Sequence, residues 1–230
     1  MTTERVVLIH SAIADSRMWN RQAERLRERG YDVIAPDLPG FGNEPLPSGP
    51  LSFVEGIARL LPAVLVGASF GGRIALETAL AHPEGVPKLV LVDASIRDHD
   101  WSPELLDYWH REDELLEGAD LDGATELTLE TFLVPAVREV VRPMQRNAYE
   151  LQVGADDKAT WPEPRPLHEL RSPTLVLVGE HDLRDFREIA ERIAAEVPHA
   201  RLEIVPGARH LPSLESPEDF DRLLLAFLGG

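Results

Sequence analysis

The feature of this 230-residue chain that most limits its folding options is a regular exchange between short, β-branched apolar runs and amphipathic stretches. Residues 6–9, 31–35, 63–66, 88–92, 174–178 and 202–205 read as six strands bounded by turn residues. Residues 17–29 read as a helix with Trp19, Ala23 and Leu26 on one face, closed by Gly30. Residues 53–61, the stretch from Gly72 to about Ala81, 186–195 and 217–228 read as further helices. Strands that alternate with helices need crossover connections. The chain is therefore expected to be α/β, with about six mostly parallel strands flanked by helices on both faces.

Between Ser95 and Leu170 the exchange stops. This stretch lacks β-rich runs and is read as a helical insertion over the sheet. The expected organisation is a core of residues 1–95 and 169–230 with a helical cap over 96–168. The cap carries seven basic against seventeen acidic residues, a net −10 of the whole chain's −17. With Asp+Glu so far in excess of Lys+Arg, the basic footprint that phosphate binding needs is missing, so nucleic acid is not expected as a partner. An anionic membrane surface is disfavoured for the same reason. No apolar stretch approaches the roughly 20 residues of a membrane span, and the N-terminal apolar run is too short for a signal peptide. There is no cysteine, which excludes disulfides, a thiolate nucleophile and thiolate metal sites. No His/Asp/Glu cluster has metal-ligand spacing. Neither a metal nor a cofactor is expected, and a cytoplasmic location is the default.

Chemistry concentrates at Gly67-Ala68-Ser69-Phe70-Gly71, a G-x-S-x-G sequence between an apolar strand and an amphipathic helix. Such a turn presents a serine hydroxyl above the strand's carboxyl end, beside the free N–H groups of a helix N-terminus. A serine is a weak nucleophile without a general base, so a histidine and an acid are needed at other strand ends. Asp182, in Gly179-Glu180-His181-Asp182, follows the fifth strand, and His210, in Gly207-Ala208-Arg209-His210, follows the sixth. Asp93, after the fourth strand, is a rival acid, and Asp182 alone would also suit a helix cap. Of the other histidines, His82, His99, His110, His168 and His199 are expected to be solvated, and His181 structural.

In the order Ser69, Asp182, His210 the sequence resembles the α/β-hydrolase superfamily, over essentially the whole chain. The resemblance includes His10-Ser11-Ala12 with Trp19 downstream, the turn Asp37-Leu38-Pro39-Gly40-Phe41-Gly42, and the run from Gly207 through Glu215 to Pro217. It implies an α/β-hydrolase fold whose usual N-terminal hairpin is missing before residue 6. It also implies a triad of Ser69 as nucleophile, His210 as base and Asp182 as its orienting acid, with the backbone N–H groups of Ala12 and Phe70 as the oxyanion hole. His10 would shape the oxyanion loop. Within the cap, the stretch from Glu112 to Ala124 resembles the cap of bacterial hydrolases often grouped with 3-oxoadipate enol-lactonases. The chain as a whole resembles the capped serine hydrolases of the esterase and enol-lactonase-like group.

Two departures bear on the reaction. Most such hydrolases have Gly at the Ser11 position, and the hydroxynitrile lyases of the fold resemble this chain there in having a hydroxyl residue. Those lyases need a lysine after the catalytic histidine, where this chain has Leu211. The cap also offers Arg138, Arg142 and Arg146 every four residues, either an anion anchor or a solvated ion-pair face. Ser11, Trp101, Trp109, Phe132 and Trp161 are candidates for an apolar substrate pocket; the aromatics can equally be cap core. The expected function is serine hydrolysis of a small-molecule ester or lactone, apolar and uncharged. The alternatives are a lyase, perhydrolase or C–C hydrolase on the same fold, or a small-ligand receptor with a slow triad. The natural substrate and oligomeric state are not legible.

Overall fold

A computed structural model of the chain describes residues 3–153 and 159–229. Its six strands are β1 (Arg5–Ile9), β2 (Asp32–Ile34), β3 (Val64–Ala68), β4 (Leu89–Val92), β5 (Thr174–Gly179) and β6 (Ala200–Val205). They form one sheet in the order β2-β1-β3-β4-β5-β6, and every neighbouring pair is parallel. The expected α/β architecture is borne out. Because the chain moves to one side of β1 for β2 and to the other for β3, the loops leaving β1 and β3 diverge. That is the place where a doubly wound sheet opens a crevice at its carboxyl edge.

Side-chain alternation divides the core in two. Val6, Leu8, Val64, Val66, Val90, Val92, Leu175 and Leu177 face one side, packing with α1 (Asn20–Glu28) and the terminal α9 (Pro217–Gly229). Val7, Ile9, Leu65, Leu89, Leu91, Val176 and Val178 face the other. There they meet α2 (Phe53–Ala58), α3 (Phe70–Ala81) and α7 (Arg184–Glu196). Each such aliphatic side chain contributes roughly 1.5–3 kcal/mol when fully buried, which fixes strand register against slippage.

Helix ends follow local chemistry. Residues 17–19 belong to a 3₁₀ turn, Ser16–Trp19, because the Asp15 carboxylate caps the Arg17 N–H; α1 begins only at Asn20. The segment read as a helix over 53–61 ends at Ala58. Inserted between β4 and β5 are α4 (Pro103–Glu117), α5 (Leu121–Phe132) and α6 (Pro135–Gln152). Ser102 caps the first and Asp120 the second. The last runs through Pro143. Leu105, Tyr108, Leu129, Phe132 and Met144 of these helices join the same apolar cluster as the sheet face of Val6 and Leu8. A short α8 (Pro212–Glu215) precedes α9. Lys158, counted above in the insertion's charge, lies outside the described residues. Among the described residues no helix is long and apolar enough to cross a membrane.

Candidate active site

Ser69 sits between β3 and α3 with φ 52° and ψ −113°, a left-handed conformation that costs a non-glycine residue of order 1–3 kcal/mol. The flanking glycines are there because the turn is crowded. A Cβ on Gly67 would lie 2.2 Å from the Gly71 carbonyl oxygen, and one on Gly71 would lie 2.4 Å from that of His10. The turn is held by the Ser69 N–H donating to Val92 O (2.8 Å) and the Arg73 N–H donating to Ser69 O (3.0 Å).

The loop after β6 brings His210 to the same carboxyl edge. Its Nδ1 lies 2.8 Å from Asp182 Oδ2, and both side chains are buried. Asp182 Oδ1 accepts the Leu183 N–H at 2.8 Å, so one carboxylate serves both the imidazole and the start of α7. The rings of Phe186 (4.2 Å between centroids) and Phe132 (4.9 Å) flank the imidazole. The His210 N–H donates to Phe132 O at 3.3 Å. The neighbouring Arg209 guanidinium donates to the carbonyls of Glu130, Thr131 and Leu133. Glu215 accepts the N–H groups of Val134, Arg209 and Leu211, and burial raises its pKa.

Asp93, the rival acid, is wholly buried and accepts the Gly179 N–H at 2.9 Å. Ligand atoms of Asp93, Asp182 and His210 lie within 4.8 Å of one another, a grouping that sequence spacing did not reveal. Burial first, and then the charge of Asp182, push the Asp93 carboxyl well above the usual carboxylate range.

His10 is fixed at both nitrogens. The Leu38 N–H donates to Nε2 (2.9 Å), so the ring proton is on Nδ1 and donates to Ser11 O (2.8 Å). Burial lowers its pKa, and the neutral ring braces the loop of residues 10–13. Among the described residues neither the Ala12 nor the Phe70 backbone N–H has an acceptor.

Ala12, Ser69, Phe70 and His210 line one cavity of about 790 Å³, walled further by Trp101, Trp109, Phe132 and Phe186. Two residues expected in this wall lie off it. Ser11 is fully buried beneath the loop, its hydroxyl accepting the Ile13 N–H. Trp161 meets Phe70 edge-to-face, with ring centroids 6.0 Å apart and the Arg73 guanidinium 3.9 Å above the Trp161 ring. The arginine stripe is also away from the cavity. Arg138 caps Leu133 O, Arg142 pairs with Glu126 and Glu139, and Arg146 pairs with Asp122 and Glu150. His99, expected to be solvated, is half-buried against Asp185 (3.1 Å) and Trp101. His181, expected to be structural, is exposed beside Glu180.

Sequence reasoning missed three parts of the cavity. Phe186 carried only a helix signal. Arg73, one turn after Ser69, has a buried Nε without a partner among the described residues. Burial and then the nearby Arg97 depress its pKa. The third is a polar cluster of Tyr108, Glu112, Thr128 and Tyr149.

The family model described as the alpha/beta hydrolase family matches residues 6–223. The chain belongs to the alpha/beta hydrolase family. This α/β-hydrolase is 29% identical to the pimeloyl-[acyl-carrier protein] methyl ester esterase of Chromobacterium violaceum, over 97% of this chain and 93% of that protein. It is 27% identical to the 2-hydroxy-6-oxononadienedioate/2-hydroxy-6-oxononatrienedioate hydrolase of Cupriavidus pinatubonensis, over 98% and 87%. The enol-lactonase of Burkholderia xenovorans superposes with a TM-score of 0.80, covering 100% of this chain and 93% of that one. At 21% identity that likeness speaks for the fold. The α/β-hydrolase is thus an enzyme of a hydrolase family, as the sequence led one to expect.

Proposed function

We propose that this α/β-hydrolase cleaves a carboxylic ester or lactone through an acyl-enzyme on Ser69. The observation that carries the reading is that Ser69, held in a strained turn, shares a cavity with His210, whose Nδ1 is bound to Asp182. With Nδ1 occupied, Nε2 is the nitrogen free to act as base. It takes the Ser69 hydroxyl proton as Oγ attacks the carbonyl carbon, and Asp182 stabilises the imidazolium that forms. The tetrahedral oxyanion faces the Ala12 and Phe70 N–H groups. One such donor contributes about 2.7–4 kcal/mol to lowering the barrier. Collapse breaks the C–O bond, and the imidazolium returns its proton to the departing alkoxide. Water, deprotonated by His210, then releases the acid and regenerates Ser69.

Residues 96–168 act in this reading as a cap that encloses the acyl chain, with Trp101, Trp109 and Phe132 as its apolar wall. The names of the relatives, an ester esterase and an enol-lactonase among them, agree with this substrate class. The lyase alternative loses support, because Leu211 is buried and Lys88 is tied to the carbonyls of Phe227 and Leu228.

Labelling with a fluorophosphonate, followed by a panel of p-nitrophenyl esters and simple lactones, tests the proposal. Labelling and turnover that disappear together in Ser69→Ala support it. Turnover by folded Ser69→Ala at the wild-type rate refutes it.

A further inference from the structure

On the side of the inserted helices the cavity is lined by a carboxylate. Glu112, on α4, lines the cavity. Its Oε1 accepts from the phenols of Tyr108 (α4) and Tyr149 (α6), and Thr128 (α5) bridges the two phenol oxygens at 2.9 and 2.7 Å. Burial, and then the charge of Glu112, raise the pKa of both phenols, so each remains a donor. One carboxylate oxygen is thereby held by two donors from two helices. The other, Oε2, has no partner among the described residues and is not among the buried polar atoms, so it stays accessible. Beside it in the wall, Gln145 is 3% exposed, and its buried Oε1 also lacks a partner. Glu112, Gln145 and Glu117 line the same cavity.

Near the nucleophile the cavity is lined by Arg73, one helical turn after Ser69 and over the Trp161 ring; Arg97, also beside Trp161, is paired with Glu77 at 2.6 Å. Arg73 disfavours a cationic group beside Ser69 and Glu112 favours one on the side of the inserted helices, which sets a direction for a charged substrate. The chain's net −17 draws cations toward it at long range.

We propose that Glu112 is a specificity residue that binds a primary ammonium at the far end of the acyl chain, pointing the ester carbonyl at Ser69. Such a group supplies the donor that Oε2 lacks, and a fixed acceptor binds it without reordering. This inference rests on the ester-hydrolysis reading of Ser69.

The test compares three esters of matched length on the whole protein: p-nitrophenyl 6-aminohexanoate, p-nitrophenyl hexanoate and mono-p-nitrophenyl adipate. The expected order of kcat/KM is amino, then neutral, then carboxylate. The amino-to-neutral ratio should be about tenfold or more, the scale of one charge-assisted hydrogen bond. In Glu112→Gln that ratio should fall to near one; because it is a ratio, a general loss of turnover cancels. Should Glu112→Gln fail to fold, the wild type decides: hexylammonium must inhibit hexanoate-ester hydrolysis more strongly than hexanoate or hexanol does. A wild-type preference for the neutral or carboxylate ester, or an amino preference that survives in Glu112→Gln, overturns the inference. Absence of turnover on all three esters together with absence of fluorophosphonate labelling overturns the underlying reading as well.

Discussion

Asp93 and Asp182 leave adjacent parallel strands at the same edge of the sheet, and their carboxyl groups lie with the His210 imidazole inside a sphere of 4.8 Å contacts. Only Asp182 is bonded to His210; Asp93 faces it as a buried acid whose pKa is pushed well up. Between the ordinary value of 3.8 and that raised value the native state holds a proton the unfolded chain has lost. The contribution of Asp93 to stability is therefore present below the ordinary value and lost as pH rises through the native one. Urea unfolding should show Asp93→Asn at least as stable as wild type near neutral pH, with its advantage shrinking in acid. Its turnover should fall far less than in Asp182→Asn, for which a loss of about 10⁴ is expected if Asp182 sets the imidazole tautomer.

The strain at Ser69 gives a prediction that separates fold from chemistry. Ser69→Gly accepts the positive φ without a Cβ and should raise unfolding free energy by about 1 kcal/mol, while Ser69→Ala should not. Both should lack turnover. Paired denaturation and ester assays check this.

Gly67→Ala and Gly71→Ala should lower stability by about 1–3 kcal/mol or more, because each new methyl meets backbone oxygen rather than a movable side chain. Thermal melts of the two variants decide it. A variant that melts with the wild type would mean that the turn is looser than described.

His10 contributes to the acid limb of stability. Its native pKa is pushed below 6.5, so as pH falls past that value the unfolded chain gains a proton that the native ring refuses. The stabilisation is complete above 6.5 and drains away toward the lowered native value. In His10→Gln, whose amide can keep both hydrogen bonds, unfolding free energy should depend less on pH between about 4 and 7.

The sheet was legible because each strand carries its own period-two signal and each helix its own stripe, so local sequence sufficed for element type and order. The G-x-S-x-G turn was legible for the same reason: its glycines answer contacts within a few residues and with β1. Residues whose roles depend on distant partners were not. Arg73 reads as an ordinary helical arginine until Trp161, far along the chain, covers it. Glu112 is one acid among many in the insertion, and only the packing of α4 on α5 and α6 sets Tyr108, Thr128 and Tyr149 around it. Ser11 and Trp161 were placed in the pocket by residue type, whereas packing puts one under a loop and the other behind a ring. Two of the periodic arginines of α6, Arg142 and Arg146, found acids on α5 and on α6 itself, and Arg138 a backbone carbonyl, the bland outcome that their spacing allowed.

The clamp between Arg209 and the carbonyl end of α5, with the His210 amide on Phe132 O, has a bearing on engineering. Exchanging the inserted helices for those of a relative is an obvious route to a new substrate range. In this protein the transplant also removes the mould in which the imidazole loop is set. A chimera has to carry the carbonyls of Glu130, Thr131 and Leu133 along with any new pocket, or it gains a lining and misplaces its histidine.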